Sequence, residues 1–129
     1  MTTFKMRLIS GLMLASIGIM SGSIATAGEI KQDMKEMKKN LRGAIKSDSV
    51  EELAPYIEAL KYSAWHASNL NFDGSEQEKN TYREGLTKVH KQLEEVDQAI
   101  KNHDLDGAKR ILSNVRDTQD TYHQKLNVE

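Results

Sequence analysis

Residues 82–100, YREGLTKVHKQLEEVDQAI, decide the fold. Apolar residues recur in this stretch every three or four positions, and charged or polar residues fill the positions between them. This period places the apolar side chains along one face of an α-helix. Just before the stretch, Ser75 and Glu78 have the spacing of a capping box, which marks a helix start. The apolar stripe consists of Tyr82, Leu86, Val89, Leu93, Val96 and Ile100.

Three other segments show the same helical spacing, and no segment alternates in the manner of a strand. One stripe follows Gly28 and fades at residues 46–48, the next follows a capping box at Ser49 and Glu52, and the last follows a short turn at residues 101–107. Residues 67–75, ASNLNFDGS, are dense in turn residues and are predicted to join two helical hairpins. The stripes comprise Ile30, Met34, Met37, Leu41, Ala44 and Ile45, then Leu53, Ile57, Leu60 and Ala64, and finally Leu105, Ala108, Leu112, Val115, Tyr122 and Leu126.

Four amphipathic helices with short connections predict an all-α fold, an antiparallel up-down-up-down four-helix bundle. In that fold the first helix begins and the fourth helix ends at the same end of the bundle. Met34 lies six residues after Gly28, and His123 lies six residues before the last residue. At about 1.5 Å per residue, each lies roughly 9 Å from the shared end. A thioether and an imidazole are therefore expected at one level on neighbouring helices.

The first 27 residues have the layout of a secretory signal peptide. Lys5 and Arg7 precede an apolar run, and Ala25 and Ala27 supply the small residues of an A-x-A cleavage site. The glycines and serines within the run make it weakly apolar for a membrane-spanning helix. We therefore expect a signal peptide at residues 1–27, one mature domain at residues 28–129, a periplasmic location and no stable membrane association after cleavage.

Composition narrows the possible functions. The leader holds two basic residues and no acidic one, so its removal changes the formal net charge from −1 to −3. This mildly acidic balance gives no reason to expect nucleic acid as a partner. The chain has no cysteine, which excludes both disulfides and the covalent attachment of a c-type haem. Because no nucleophile elbow, phosphate loop or zinc-protease motif is present, we do not expect an enzyme.

Met34 and His123 carry the chemistry that the sequence offers. Together they could bind opposite faces of a haem, and a methionine–histidine pair raises the reduction potential of haem iron. Gln119, one turn before His123, suits a pocket wall. With Met37 as a second thioether, the same residues could instead bind Cu(I), because soft ligands select that ion. Methionines on an apolar stripe also fill cores, and this is the simpler interpretation of Met37. The other histidines, His66, His90 and His103, show no metal spacing and are predicted to be surface residues.

Three segments resemble the cytochrome b562 family, itself an established example of the up-down-up-down bundle. They are Asp33-Met34 near the mature start, Tyr82-Arg83-Glu84-Gly85-Leu86 in the centre, and Tyr122-His123-Gln124-Lys125 near the end. The resemblance covers the whole mature chain. It implies a periplasmic electron carrier, a monomer, with one non-covalent haem b per chain bound through Met34 and His123. The redox partner protein is not indicated.

The resemblance also implies roles for three pocket residues. Tyr82 and Leu86 take the positions of aromatic residues that pack on the haem, and Gln119 takes the position of a haem-pocket arginine. The proline pair of the family's central loop is missing, and that loop is shorter here. Two alternatives to the haem carrier are a periplasmic copper-binding bundle that uses Met34, Met37 and His123, and a haem-free interaction module with the same fold.

Overall fold

The chain forms four α-helices in the computed structural model, which describes the backbone of residues 15–127 and the side chains of residues 28–127. Contacts join α1 to α2, α2 to α3, α3 to α4 and α4 back to α1. No strand occurs between residues 15 and 127. The predicted four-helix bundle is thus confirmed. The helices are α1 (Ala15–Ile45), α2 (Val50–Ser68), α3 (Glu76–Lys101) and α4 (Leu105–Leu126).

Side-chain caps fix where the last three helices begin. The Ser75 hydroxyl accepts from the Glu78 amide at 3.1 Å, and the Glu78 carboxylate accepts from the Ser75 amide at 2.8 Å, which completes the capping box of α3. Ser49 caps α2 in the same way, but the Glu52 carboxylate accepts from the amide of Asp48 instead. Asp104 caps α4 by accepting from the Gly107 amide at 2.9 Å. The connections between the helices are short, and short connections make sequential helices run antiparallel.

The buried apolar side chains form two clusters at different levels of the bundle. The larger cluster takes residues from the second half of α1, most of α2, the second half of α3 and the first half of α4. The smaller cluster lies at the end where α1 enters the bundle and α4 leaves it, and it consists of Ile30, Ala67, Tyr82, Leu86 and Leu126. Thr118 and Gln119, both buried and polar, separate the two levels on α4. The smaller cluster surrounds the residues on which the functional prediction rests.

The signal peptide at residues 1–27 stays a prediction. Residues 1–14 lie outside the described residues, and α1 runs as one helix from Ala15 through the predicted cleavage position after Ala27. Within residues 15–127, no helix is both long enough and apolar enough to cross a membrane.

Candidate functional site

Met34 and His123 meet in the structure. The Nε2 atom of His123 lies 3.2 Å from the Sδ atom of Met34, although 89 positions separate the two residues in the sequence. Met34 comes from α1 and His123 from the last turns of α4, and both side chains are half-buried. The prediction that this thioether and this imidazole lie at one level on neighbouring helices is therefore confirmed.

A small apolar cavity of about 30 Å³ lies beside this pair. Its lining includes every residue that the sequence singled out for a cofactor pocket: Met34, Tyr82, Leu86, Gln119 and His123. Met37 also reaches its wall, but that side chain is only 2% exposed and belongs to the larger core cluster. The packing of Met37 agrees with its interpretation as core filler. The structure thus brings these five residues together from α1, α3 and α4.

The α3 wall of the cavity is rigid and apolar. The Tyr82 hydroxyl donates to the backbone carbonyl of Ala67 at 2.7 Å, and its ring stacks on Phe72 with centroids 4.9 Å apart. Burial, with the nearby Asp33 carboxylate as a second cause, raises the pKa of the Tyr82 phenol well above its usual range, so the phenol stays neutral. One turn later, a Cβ on Gly85 would lie 2.8 Å from the Tyr122 ring. Glycine at this position lets α3 and α4 approach closely next to His123.

Asp33 and His66 form a polar contact that the sequence analysis missed. The Nδ1 atom of His66 lies 2.7 Å from a carboxylate oxygen of Asp33, and Glu29 lies 3.9 Å from the other ring nitrogen. The prediction that His66 is a simple surface residue is wrong, because its side chain is about two-thirds buried against this carboxylate. The sequence did contain a sign of this contact, because Asp33 is a charged residue that takes a position on the apolar stripe between Ile30 and Met37. The contact ties α1 to α2 at the residue next to Met34.

The other two histidines agree with the surface prediction. His90 is exposed and lies 3.3 Å from Glu94 on the same helix. His103 is exposed in the turn between α3 and α4, where its φ of 54° is in the left-handed region. Within residues 28–127, no group of three or more histidine or acidic side chains is arranged to hold a metal ion.

The side of the pocket that faces α1 and α4 is open. These two helices contact each other least among the four adjacent pairs. Two surface cavities, of about 330 and 550 Å³, lie along their seam, and His123 lines both of them. At the inner edge of the seam, the Gln119 side chain is only 9% exposed, and its amide nitrogen has no hydrogen-bond partner among the described residues. A buried donor without an acceptor costs about 1–3 kcal/mol, so a ligand with an acceptor atom would be favoured there.

The residues present fit a flat metal cofactor such as haem. The donors are one thioether and one imidazole, a recognised axial pair for haem iron. Met34 and His123, whose sulfur and ring nitrogen lie 3.2 Å apart, would hold the metal, and the apolar lining of the cavity suits the faces of a flat ring.

Comparison with known proteins gives a family match. A family model for cytochrome b562 matches residues 29–127, a range that includes α2, α3, α4 and the part of α1 that carries Met34. A search among curated proteins finds no significant match.

Proposed function

This chain belongs to the cytochrome b562 family, whose members are haem-binding electron carriers and not enzymes, and on that premise we propose that it is a periplasmic carrier of single electrons. One non-covalent haem b per chain would be held between Met34 and His123. The observation that carries this proposal is the 3.2 Å contact between the Met34 sulfur and the His123 nitrogen. Bound haem iron supplies a reversible one-electron change between its ferric and ferrous states.

The chain's own residues would hold the cofactor and tune it. His123 and Met34 would both ligate the iron, and two protein ligands would favour electron transfer over catalysis. The thioether of Met34 would stabilise the reduced iron and so raise the reduction potential. Tyr82 and Leu86, 3% and 8% exposed, exclude water from the α3 side of the pocket. The absence of cysteine leaves noncovalent contacts as the means of retention.

Titration of the haem-free protein with ferric protoporphyrin IX tests the proposal. We expect saturation at one equivalent, an intense Soret band, sharp α and β bands after reduction, and complete extraction of the porphyrin by acidified organic solvent. Trp65, the single tryptophan, lies on α2 and gives an independent binding signal through quenching of its fluorescence. His123→Ala should weaken binding strongly. His90→Ala, which alters an exposed histidine that lines neither seam cavity, is the matched control and should bind normally.

A parallel titration with Cu(I) separates the two alternatives. A copper-binding bundle that uses Met34, Met37 and His123 would bind Cu(I) tightly and would leave the Soret band of the added porphyrin broad and unshifted. A haem-free interaction module would bind neither probe. Either result would refute the haem assignment while leaving the four-helix fold intact.

The periplasmic part of the proposal is supported by the leader at residues 1–27 and by the family. N-terminal sequencing of the exported protein should start at Gly28. An intact leader that remains embedded in the membrane would refute it.

A further inference from the structure

Positive charge is concentrated along the open seam between α1 and α4. Two cavities flank the Met34–His123 pair there, and five cationic side chains line one or both of them. The chain as a whole has a formal net charge of −1, so this local excess does not reflect a basic protein. One carboxylate, Asp120, lines both cavities. The cations are Lys35, Lys38 and Arg42 on α1, Lys46 just after α1, and Arg116 on α4.

No ion pair among residues 28–127 neutralises these cations, although Arg116 donates a hydrogen bond to the Ser113 hydroxyl at 3.4 Å. Among residues 28–127, the ion pairs involve Lys61, His66, Lys79 and His90, and none involves a cation of the seam. All five side chains are exposed. Grouped like charges raise the free energy of the folded chain, so an anion bound in the groove would be favoured. Among residues 28–127, Asp120 is the one carboxylate that lines the groove.

Three of the cations lie on one face of α1. Lys35, Lys38 and Arg42 are spaced by three and four residues, which places them in a row along a helix. From Lys35 to Arg42 the row spans about 10 Å at about 1.5 Å per residue. Lys38 lines both cavities, whereas Lys35 lines only the one beside Met34 and Arg42 only the one beside Gln119. Lys38 therefore stands at the centre of the groove.

We propose that Lys35, Lys38 and Arg42 form a clamp for the two propionate carboxylates of the haem, and that the cofactor enters through this seam with its carboxylates towards solvent. The inference rests on the proposed function. Haem is an apolar ring with two anionic groups, and the site offers a matching pair of surfaces. The apolar wall of Tyr82 and Leu86 faces the interior, and the cationic row faces solvent.

Two other groups set the strength of the clamp. Asp120 faces the same groove and would repel a carboxylate, so it weakens the clamp. Gln119, which takes the position of an arginine in the family resemblance, presents a buried amide nitrogen without a partner among the described residues. The cationic row on α1 supplies positive charge near the position where that arginine is missing.

The test compares iron protoporphyrin IX with its dimethyl ester, which lacks the two negative charges. In Lys38→Gln, affinity for the free acid should fall by about two- to fivefold, the effect of one partly exposed charge pair. Affinity for the ester should stay within about twofold. The triple variant with glutamine at positions 35, 38 and 42 should lose about 10- to 100-fold for the acid alone, if the three pairs add. Asp120→Asn should move the acid affinity in the opposite direction, by about two- to fivefold.

Lys39→Gln is the matched control, because Lys39 is exposed on the same helix next to Lys38 but lines neither cavity. It should leave both affinities unchanged. A rise in salt from about 0.01 M to about 1 M should weaken binding of the acid more than binding of the ester, since screening acts on charge pairs. Circular dichroism checks that each variant keeps its helices.

The outcomes separate the clamp from the haem assignment. If the ratio of acid to ester affinity is the same in wild type, Lys38→Gln and the triple variant, the clamp is refuted although haem binding stands. If Lys39→Gln changes that ratio as much as Lys38→Gln does, general surface charge is responsible and the clamp is again refuted. If neither porphyrin binds the wild-type protein, the proposed function fails and the clamp fails with it.

Discussion

Met34 and Met37 lie three residues apart on α1, and replacement by alanine should affect them differently. In the haem-free protein, the loss in the free energy of unfolding should be larger for Met37→Ala. Met37 is 2% exposed within the larger core cluster, so Met37→Ala leaves a cavity and should lower the free energy of unfolding of the haem-free protein by about 2–5 kcal/mol. Met34 is half-buried beside an open seam, where solvent can fill the space. Met34→Ala should therefore cost about 1 kcal/mol, the transfer free energy of a partly buried side chain.

In the haem-loaded protein, Met34→Ala should have the larger effect, and the effect should be on the spectrum and the reduction potential. Met34→Ala removes a proposed iron ligand, so haem should stay bound through His123 with a high-spin ferric spectrum and a lower reduction potential. Met37→Ala should keep the low-spin spectrum and nearly the same potential. Urea unfolding of the haem-free variants and absorption spectra of the loaded variants measure the two halves of the prediction. A low-spin spectrum and an unchanged potential in Met34→Ala, with a high-spin spectrum in Met37→Ala, would show that Met37 is the ligand.

Three further outcomes are expected. Saturating haem should raise the unfolding midpoint of the haem-free protein, because a ligand bound only by the folded state stabilises it by mass action, and an unchanged midpoint would contradict the pocket. Gly85→Ala should lower the free energy of unfolding by about 1 kcal/mol, because the clash with Tyr122 outweighs the gain in helix propensity. Gly43→Ala should not lower it, because the edge of the Tyr56 ring that the new methyl group meets can rotate away. A double-mutant cycle of Asp33→Ala and His66→Ala should give a coupling of about 1 kcal/mol in urea unfolding, and a coupling near zero would show that their contact does not stabilise the bundle.

The sequence predicted the helices and the level of the site because both depend on local information. Helical period and capping residues lie within a few positions of each other, and short connections force antiparallel neighbours. The structure ends α2 at Ser68 and begins α3 at Glu76, so the observed connection, residues 69–75, lies within the predicted loop of residues 67–75. The meeting of Met34 with His123 then follows from counting residues from one end of the bundle.

Contacts between polar residues of different helices could not be predicted in this way. The pairing of Asp33 with His66 depends on how far each helix rotates about its axis, and periodicity fixes that rotation only for apolar faces. The cationic row on α1 was likewise visible in the sequence only as a charged face. Its position beside the Met34–His123 pair becomes clear when α4 is in place, because α4 supplies the other wall of the seam.

The uneven packing of the bundle explains how it can hold a ligand at one end without a disulfide. The larger core cluster joins all four helices and supplies most of the buried apolar surface, so the helices can assemble before the cofactor binds. The smaller cluster lies at the other end, and Gln119 interrupts the apolar row of α4 beside it, while α1 and α4 contact each other least among the adjacent helix pairs. A tightly packed apolar seam at that end would stabilise the haem-free protein and close the entrance to the pocket. Gln119 and the cationic row leave the seam weak, and a bound haem would supply the missing apolar contacts and the missing anions together.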